Sequence, residues 1–209
     1  MKSMYIGSGD TTFLLMGKNS TSHQNLLRRF VSDVVPYYNA KASPIDALRT
    51  GAILEERYMQ ILPDDYYPQY KVISKDMDVF KCSLDFAKLN NGNVVDFDEM
   101  KTCNFDDFLL FEQFRDDEKD EAIEFIKKKY KHYYNQVQEQ LYCTDLYSAN
   151  IVFVVVYSYE DFINEARDIQ PNEYIRFRIN RDENVINKIK QCGLPFQYLK
   201  DFYTKDEKI

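Results

Sequence analysis

The sequence predicts a single α/β domain, a mixed β-sheet flanked by helices, and three segments carry that prediction. Val94 to Lys101 (VVDFDEMK) alternates like a strand, and Asn90-Asn91-Gly92-Asn93 joins it to a second apolar run, KCSLDFAKL. That turn chemistry links two strands in a hairpin. Ile151 to Tyr157 (IVFVVVY) is a nearly continuous β-branched run, the pattern of a central strand buried on both faces. Between these strands Ile126, Tyr130, Tyr133, Val137 and Leu141 recur at helical spacing.

The elements follow in order. Ser20-Thr21-Ser22 offers a cap for a helix through Leu26, Leu27, Phe30 and Val34 that ends before Pro36. Ser43-Pro44 places a cap and then proline at the start of a second helix, which carries Ile45, Leu48, Ala52, Ile53 and Met59 and stops before Pro63. Short strands are expected near Tyr70 to Ile73 and Met77 to Leu89, then at Val94 to Lys101. A short helical piece follows Asp106-Asp107. One long helix then runs from Asp116 or Asp117 to about Tyr142, its first turn acidic as the macrodipole favours. After the buried strand, Tyr174 to Ile179 is a further strand, and a last helix from Asp182 to Gln191 ends at Gly193 with Pro195 beyond it. No repeat, low-complexity stretch or linker divides the chain. One domain is therefore expected over 1–209, with a core at about 45–157, a helical part at 1–42 and a strand and helix within 158–209.

With 44% hydrophobic and 29% charged residues, 209 residues suffice for one well-formed core. The four cysteines are scattered, as expected of reduced thiols in a cytosolic compartment, not of a disulfide frame or a metal cluster. No segment is long and apolar enough to span a membrane, and FLLMG near the start lacks the length and charged lead of a signal peptide. The net charge of −7 speaks against nucleic acid as a partner without excluding it. Lys127-Lys128-Lys129 with Lys131 and His132 form a local basic block, as do Arg28-Arg29 and Arg176, Arg178 and Arg181. The lysine block reads either as a solvated helix face or as a track for phosphates.

The hairpin also carries the candidate chemistry. On a strand, Val95, Phe97, Glu99 and Lys101 share one face, and Val94, Asp96, Asp98 and Met100 the other. A carboxylate and a lysine continuing the more apolar face lose water, which is costly unless they are paired or bind a metal. Glu99-Met100-Lys101 alone is equally an exposed ion pair of little worth. Asp85 on the preceding strand changes that, because the hairpin brings it near. A two-residue turn at Asn91-Gly92 sets Asp85 opposite Asp98, on the wrong face; a three-residue loop or a bulge sets it opposite Glu99. A site here therefore requires a bulged or longer turn. Two carboxylates and a lysine on one face would make a magnesium site with an ammonium beside it.

Taken in order, Gly51 with Glu55, Ser83 with Asp85, Glu99 with Lys101, and Gln136 with Gln138 before a hydrophobic strand resemble the PD-(D/E)xK nuclease superfamily. Within it the chain looks closest to the phage lambda exonuclease and YqaJ-type viral recombinase group, whose G-x-x-x-E helix, S-x-D and E-x-K strands and Q-x-Q helix build one site. Gln138 with Tyr142 is also similar to the Q-x-x-x-Y helix of RecB-type nucleases. The resemblance covers roughly residues 45 to 157. Ser83-Leu84-Asp85-Phe86 stands where the exonuclease group tends to have S-P-D-G, and Thr21-Ser22 is at best a remnant of its T-A-S motif.

The resemblance implies a restriction-endonuclease-like fold and a DNA exonuclease of phage recombination or replication. Such an enzyme depends on Mg²⁺, with Mn²⁺ as a substitute, and works in the host cytoplasm. Asp85, Glu99, the backbone carbonyl of Met100 and Glu55 would hold the metal. Lys101, its pKa lowered by burial and by the metal, would orient or deprotonate the attacking water. Gln138 would position Glu55 or a DNA phosphate, with Tyr142 packed behind it. Gln136, Tyr142, Lys127, Lys128, Lys129, Lys131, Arg28 and Ser22 are further candidates for contact with DNA. A single-strand annealing protein or another phage protein, and a ring-shaped homo-oligomer, are the implied partners; no membrane is. Two other readings stay open: a nuclease-fold protein with a structural or DNA-binding role, and an acidic adaptor whose carboxylates are mere surface.

Overall fold

The hairpin organises the sheet. In the computed structural model, which describes residues 4–32, 45–114, 119–157 and 168–205, six strands form one mixed sheet: β1 (Ile6–Gly7), β2 (Tyr66–Ile73), β3 (Phe80–Asn90), β4 (Asn93–Asn104), β5 (Ser148–Val156) and β6 (Tyr174–Asn180). Their order is β1-β3-β4-β5-β6, with β2 also paired to β3. β1 runs parallel to β3 and β4 parallel to β5, while β2–β3, β3–β4 and β5–β6 are antiparallel.

The helices are α1 (Thr11–Leu14), α2 (Thr21–Ser32), α3 (Ile45–Ile61), α4 (Phe105–Gln113), α5 (Lys119–Lys129), α6 (Lys131–Thr144) and α7 (Glu183–Lys205). β5 is buried on both faces, as its run of β-branched residues requires. Ile151, Phe153 and Val155 join the larger core with α1, α2, α4, α5, α6 and α7. Val152, Val154 and Val156 meet Leu54 and Tyr58 of α3 in a second core on the other face. Each such side chain withdrawn from water contributes roughly 1.5–3 kcal/mol. Ser20 caps α2, its hydroxyl accepting the His23 N–H at 3.2 Å. Val34, Pro36, Ser43 and Pro44 lie outside the described residues.

Two helical expectations are corrected. The single long helix is two, α5 and α6, meeting at Tyr130. Its N–H closes α5 on the Ile126 carbonyl, and its own carbonyl opens α6 by accepting from Tyr133 and Tyr134. The Tyr130 hydroxyl bonds the buried Asp107 and its ring packs on Phe111 and Phe153, so tertiary contact fixes a break that no Gly or Pro announces. The last helix does not stop at Gly193 but runs through Pro195 to Lys205. Gly193 serves close approach, not capping: a Cβ there would lie 2.3 Å from the Phe80 ring. Proline inside a helix costs about 3 kcal/mol. Buried Phe196, the Gln197 bond to the Val79 N–H (3.0 Å) and the Lys200 bond to the Asp78 carbonyl (2.6 Å) hold the helix beyond it.

On α6, Glu139 is fully buried beside the Thr11 hydroxyl, which also gives its proton to the Ser8 carbonyl at 2.6 Å. Burial pushes the Glu139 carboxyl up to about 8, against the pull of the Thr11 bond and helped by Asp10. The buried carboxyl therefore favours its neutral form. It can donate to Thr11, and its other oxygen has no partner among the described residues.

Candidate active site

The site lies where β3 and β4 part. Asn91-Gly92 forms a two-residue turn with both residues at positive φ, and Asn90 faces Asn93. The register then slips, because Leu89 faces Val94 but Lys88 faces Asp96. Val95 is the extra residue of a β-bulge. It is 42% exposed, so it does not share the packed face of Phe97 and Glu99 as simple alternation had it. The slip pairs Phe86 with Asp98, and continuing it sets Asp85 opposite Glu99.

Backbone pairing of β3 with β4 ends at Phe86 and Asp98. β2 keeps its own edge of β3 down to Lys81, and β1 takes up the other edge at Phe80 and Lys81. The two strands thus form a fork. Its orphaned backbone groups need partners, and side chains supply them. The Asp85 carboxylate accepts the Met100 N–H at 3.0 Å. On the other arm Gln140 donates to the Ser83 carbonyl at 3.2 Å and to Glu99 Oε2 at 2.6 Å. Both its N–H groups are used, and its amide oxygen has no partner among the described residues. Gln136, one helical turn earlier on α6, donates to Glu99 Oε1 at 2.5 Å.

Glu99 is completely buried, and Lys101 sits with Nζ 2.6 Å from Glu99 Oε1 and 3.8 Å from Asp85 Oδ2. The Tyr133 ring lies 5.3 Å from the same ammonium, close enough for a cation–π contact. Burial pushes the Asp85 carboxyl well above the usual carboxylate range, and the charges of Glu99 and Glu55 add to it against Lys101 and the Met100 N–H. Burial likewise raises Glu55, opposed by Lys101 and the Gln69 bond. For Lys101 the expected lowering is reversed: burial works against the ammonium, but Glu99 and Asp85 outweigh it and hold its pKa above the ordinary lysine value. Without a metal beside it, Lys101 is an ammonium paired to Glu99.

Three carboxylates thus face one ammonium. Among the described residues no three His, Cys, Asp or Glu side chains already stand together at ligand spacing; Lys101 lies between the acids. The uncompensated charge and the all-oxygen donor set of Asp85, Glu99 and Glu55 fit a hard divalent cation. Asp98, on the opposite face, has no such excess: Arg176, Tyr58 (2.8 Å) and Asn150 (2.8 Å) all bond it.

Glu55 comes from α3 and is held by Gln69 of β2. Gln69 Nε2 donates to Glu55 Oε2 at 3.0 Å, and Ser83 Oγ donates to Gln69 Oε1 at 3.1 Å. Gln69 has φ +51°, and the β2–β3 register passes from Pro68↔Phe86 to Tyr70↔Leu84 without it. A left-handed non-glycine residue inside a strand stores about 1–3 kcal/mol.

Other candidates lie elsewhere. Gln138 is not in the site: its Nε2 donates to the Asn180 carbonyl (2.9 Å) and its Oε1 accepts the Asp182 N–H (2.7 Å), tying α6 to the start of α7. Residues two apart on a helix face different ways, so the glutamines that share Glu99 are Gln136 and Gln140. The Tyr142 hydroxyl donates to Asp76 at 3.0 Å and its ring packs on Phe80, away from Glu99. Lys129 is paired to Asp107, and Lys127 to Glu124 at 2.7 Å. Lys128 and Lys131 are exposed on α5 and at the start of α6. Ser22 and Arg28 lie on α2, outside the cleft. That cleft, of about 450 Å³, opens on Asp85, Ser83 and Gln136 and is flanked by Lys71, Lys81 and Ser8. Sequence reasoning missed Gln140, Gln69, Tyr133, Lys71 and Lys81. The four-residue spacing of Gln136 and Gln140 could have revealed that pair, but no sequence signal marks the left-handed turn at Gln69.

No family model and no curated protein sequence matches the chain significantly. Solved structures do. An alkaline exonuclease from Laribacter hongkongensis superposes with a TM-score of 0.59 at 17% identity, over 98% of this chain and 93% of that one. A structure of the same exonuclease in complex with dAMP gives 0.56 at 16%, over 97% and 95%. A phage-related exonuclease from Haemophilus somnus 129PT gives 0.60 at 16%, over 97% and 96%. The chain has the fold of these exonucleases, the fold that its resemblance to the PD-(D/E)xK superfamily implied.

Proposed function

We propose that this chain is a Mg²⁺-dependent deoxyribonuclease that hydrolyses phosphodiester bonds as an exonuclease, in the setting of phage recombination or replication. The observation that carries the proposal is the fork itself: Asp85, Glu99 and Lys101 converge there, with Glu55 held over them by Gln69. Asp85, Glu99 and Glu55 would hold the ion, with the Met100 carbonyl as a further donor. A divalent cation at such a site supplies positive charge to the phosphoryl oxygens and acidifies the attacking water.

The chain's own residues do the rest. Gln136 and Gln140 each donate to one oxygen of Glu99 and so orient its carboxylate. Lys101, an ammonium, can hold a water or a phosphoryl oxygen through the donors that Glu99 leaves free. Lys71 and Lys81 flank the cleft and suit the sequence-independent holding of a phosphate chain. A single-strand annealing protein and a ring of identical subunits are the partners consistent with this reading, and the host cytoplasm is its place.

The test is cleavage of end-labelled linear and closed circular DNA with Mg²⁺, Mn²⁺ or EDTA, comparing the wild type with Lys101→Ala. Metal-dependent loss of linear DNA only, abolished in the variant, is the expected result. Cutting of closed circles would make the protein an endonuclease. A folded protein inert on every substrate would leave a structural or DNA-binding role.

A further inference from the structure

Gln69 occupies a backbone conformation that glycine or asparagine adopts readily and glutamine does not. Its φ of +51° lies within β2, at the position the β2–β3 register skips, across from Asp85. Such an exception points to a task for the side chain. Gln69 makes two bonds, both toward the site: it accepts from the Ser83 hydroxyl at 3.1 Å and donates to Glu55 at 3.0 Å. An ionised carboxylate only accepts, so the amide nitrogen must face Glu55, and the Ser83 proton on the amide oxygen locks that orientation.

Glu55 needs this help. It projects from α3, which otherwise packs on the core opposite Glu99, and it is only half-buried. Unbridged, it would sample several rotamers. From the contact geometry we infer that Gln69 is the positioning residue that holds Glu55 as a ligand for the divalent cation at Asp85 and Glu99, an inference that rests on the metal-dependent reading above. The left-handed turn gives the amide its reach, and Ser83, two residues from Asp85, ties that reach to the strand that carries the principal acid.

The test is Mn²⁺ binding to the full chain, followed by the electron paramagnetic resonance of free Mn²⁺, with thermal unfolding alongside. Gln69→Gly keeps the backbone turn without strain, so it isolates the side chain. We expect it to fold as well as the wild type and to bind Mn²⁺ about 10- to 100-fold more weakly, the usual effect of losing an outer-shell partner. Gln69→Asn, which tolerates the turn but is too short to bridge, should behave the same way. In a Glu55→Gln background the further loss should vanish. Wild-type affinity in Gln69→Gly, or an equal loss with and without Glu55, overturns the positioning role and leaves the nuclease reading intact. A folded wild type that binds no Mn²⁺, like an Asp85→Asn control, overturns both.

Discussion

Asp85 caps Met100: the carboxylate takes the amide N–H at 3.0 Å where the splayed β3 no longer offers a backbone carbonyl. Asparagine can accept the same bond without the charge that burial, Glu99 and Glu55 make unfavourable. Asp85→Asn should therefore stabilise the metal-free protein, by on the order of 2 kcal/mol at pH 8, while abolishing cleavage. The sign follows from a folded pKa above the unfolded one: the acid's contribution is intact below its unfolded pKa and is lost as pH rises through the folded value. The advantage of the variant should accordingly widen from pH 5 to pH 8 in urea titrations with EDTA. A variant no more stable than the wild type at pH 8 contradicts this account.

Gln138 and Gln140 separate scaffold from site. Gln138→Ala removes two bonds, one to the end of β6 and one to Asp182 just before α7, and should cost about 1–3 kcal/mol, with metal affinity unchanged. Gln140→Leu strips Glu99 and the Ser83 carbonyl of their donor and should lower both stability and turnover. Paired melting curves and Mn²⁺ titrations distinguish the two. Equal loss of metal affinity in both variants would put Gln138 back in the site.

Glu139 makes a separate pH effect. Its carboxyl, raised to about 8 from 4.5, contributes stability fully below pH 4.5 that is lost as pH climbs to 8. Glu139→Gln keeps the shape without the titration. It should match the wild type near pH 4 and exceed it in alkali, by at most about 5 kcal/mol. Melting temperatures at pH 4.5, 7 and 9 would show parallel curves for the two proteins if Glu139 were ionised throughout.

Divalent metal should stabilise the fold. Mg²⁺ at a hundredfold excess over its dissociation constant adds about 2.7 kcal/mol, seen as a higher melting temperature that EDTA reverses. Asp85→Asn should show no such rise. A rise of equal size in that variant would place the ion elsewhere.

The sequence carried the hairpin, the double burial of β5 and the need for a slipped register, because each rests on local patterning: turn residues, β-branched runs and period-two alternation. It did not carry the break at Tyr130, which Asp107 and Phe111 impose from across the core, or the passage of α7 through Pro195, which Phe196, Gln197 and Lys200 hold through contacts distant in sequence. At the site, Asp85, Glu99 and Lys101 follow from the spacing in the hairpin and Glu55 from the resemblance alone, and the structure brings them together. Gln138 was misplaced because the motif was matched along the chain when the helix turns 3.6 residues at a time. Gln69 was invisible, since no local pattern marks a left-handed residue inside a strand whose register with β3 is the same on either side of it.

Val95 makes the acid set a matter of phase. Chemically it is an ordinary valine on an exposed edge, yet it is the one residue by which β4 is offset from β3. Were it taken into the ladder opposite Lys88, Asn91-Gly92 would still turn and the strands would still pair, but Asp98 would arrive opposite Asp85 while Glu99 turned toward α3. The same letters would then spell a hairpin with Asp85 and Glu99 on opposite faces. Whether one side chain with no chemistry of its own is paired or bulged out thereby decides which carboxylates meet.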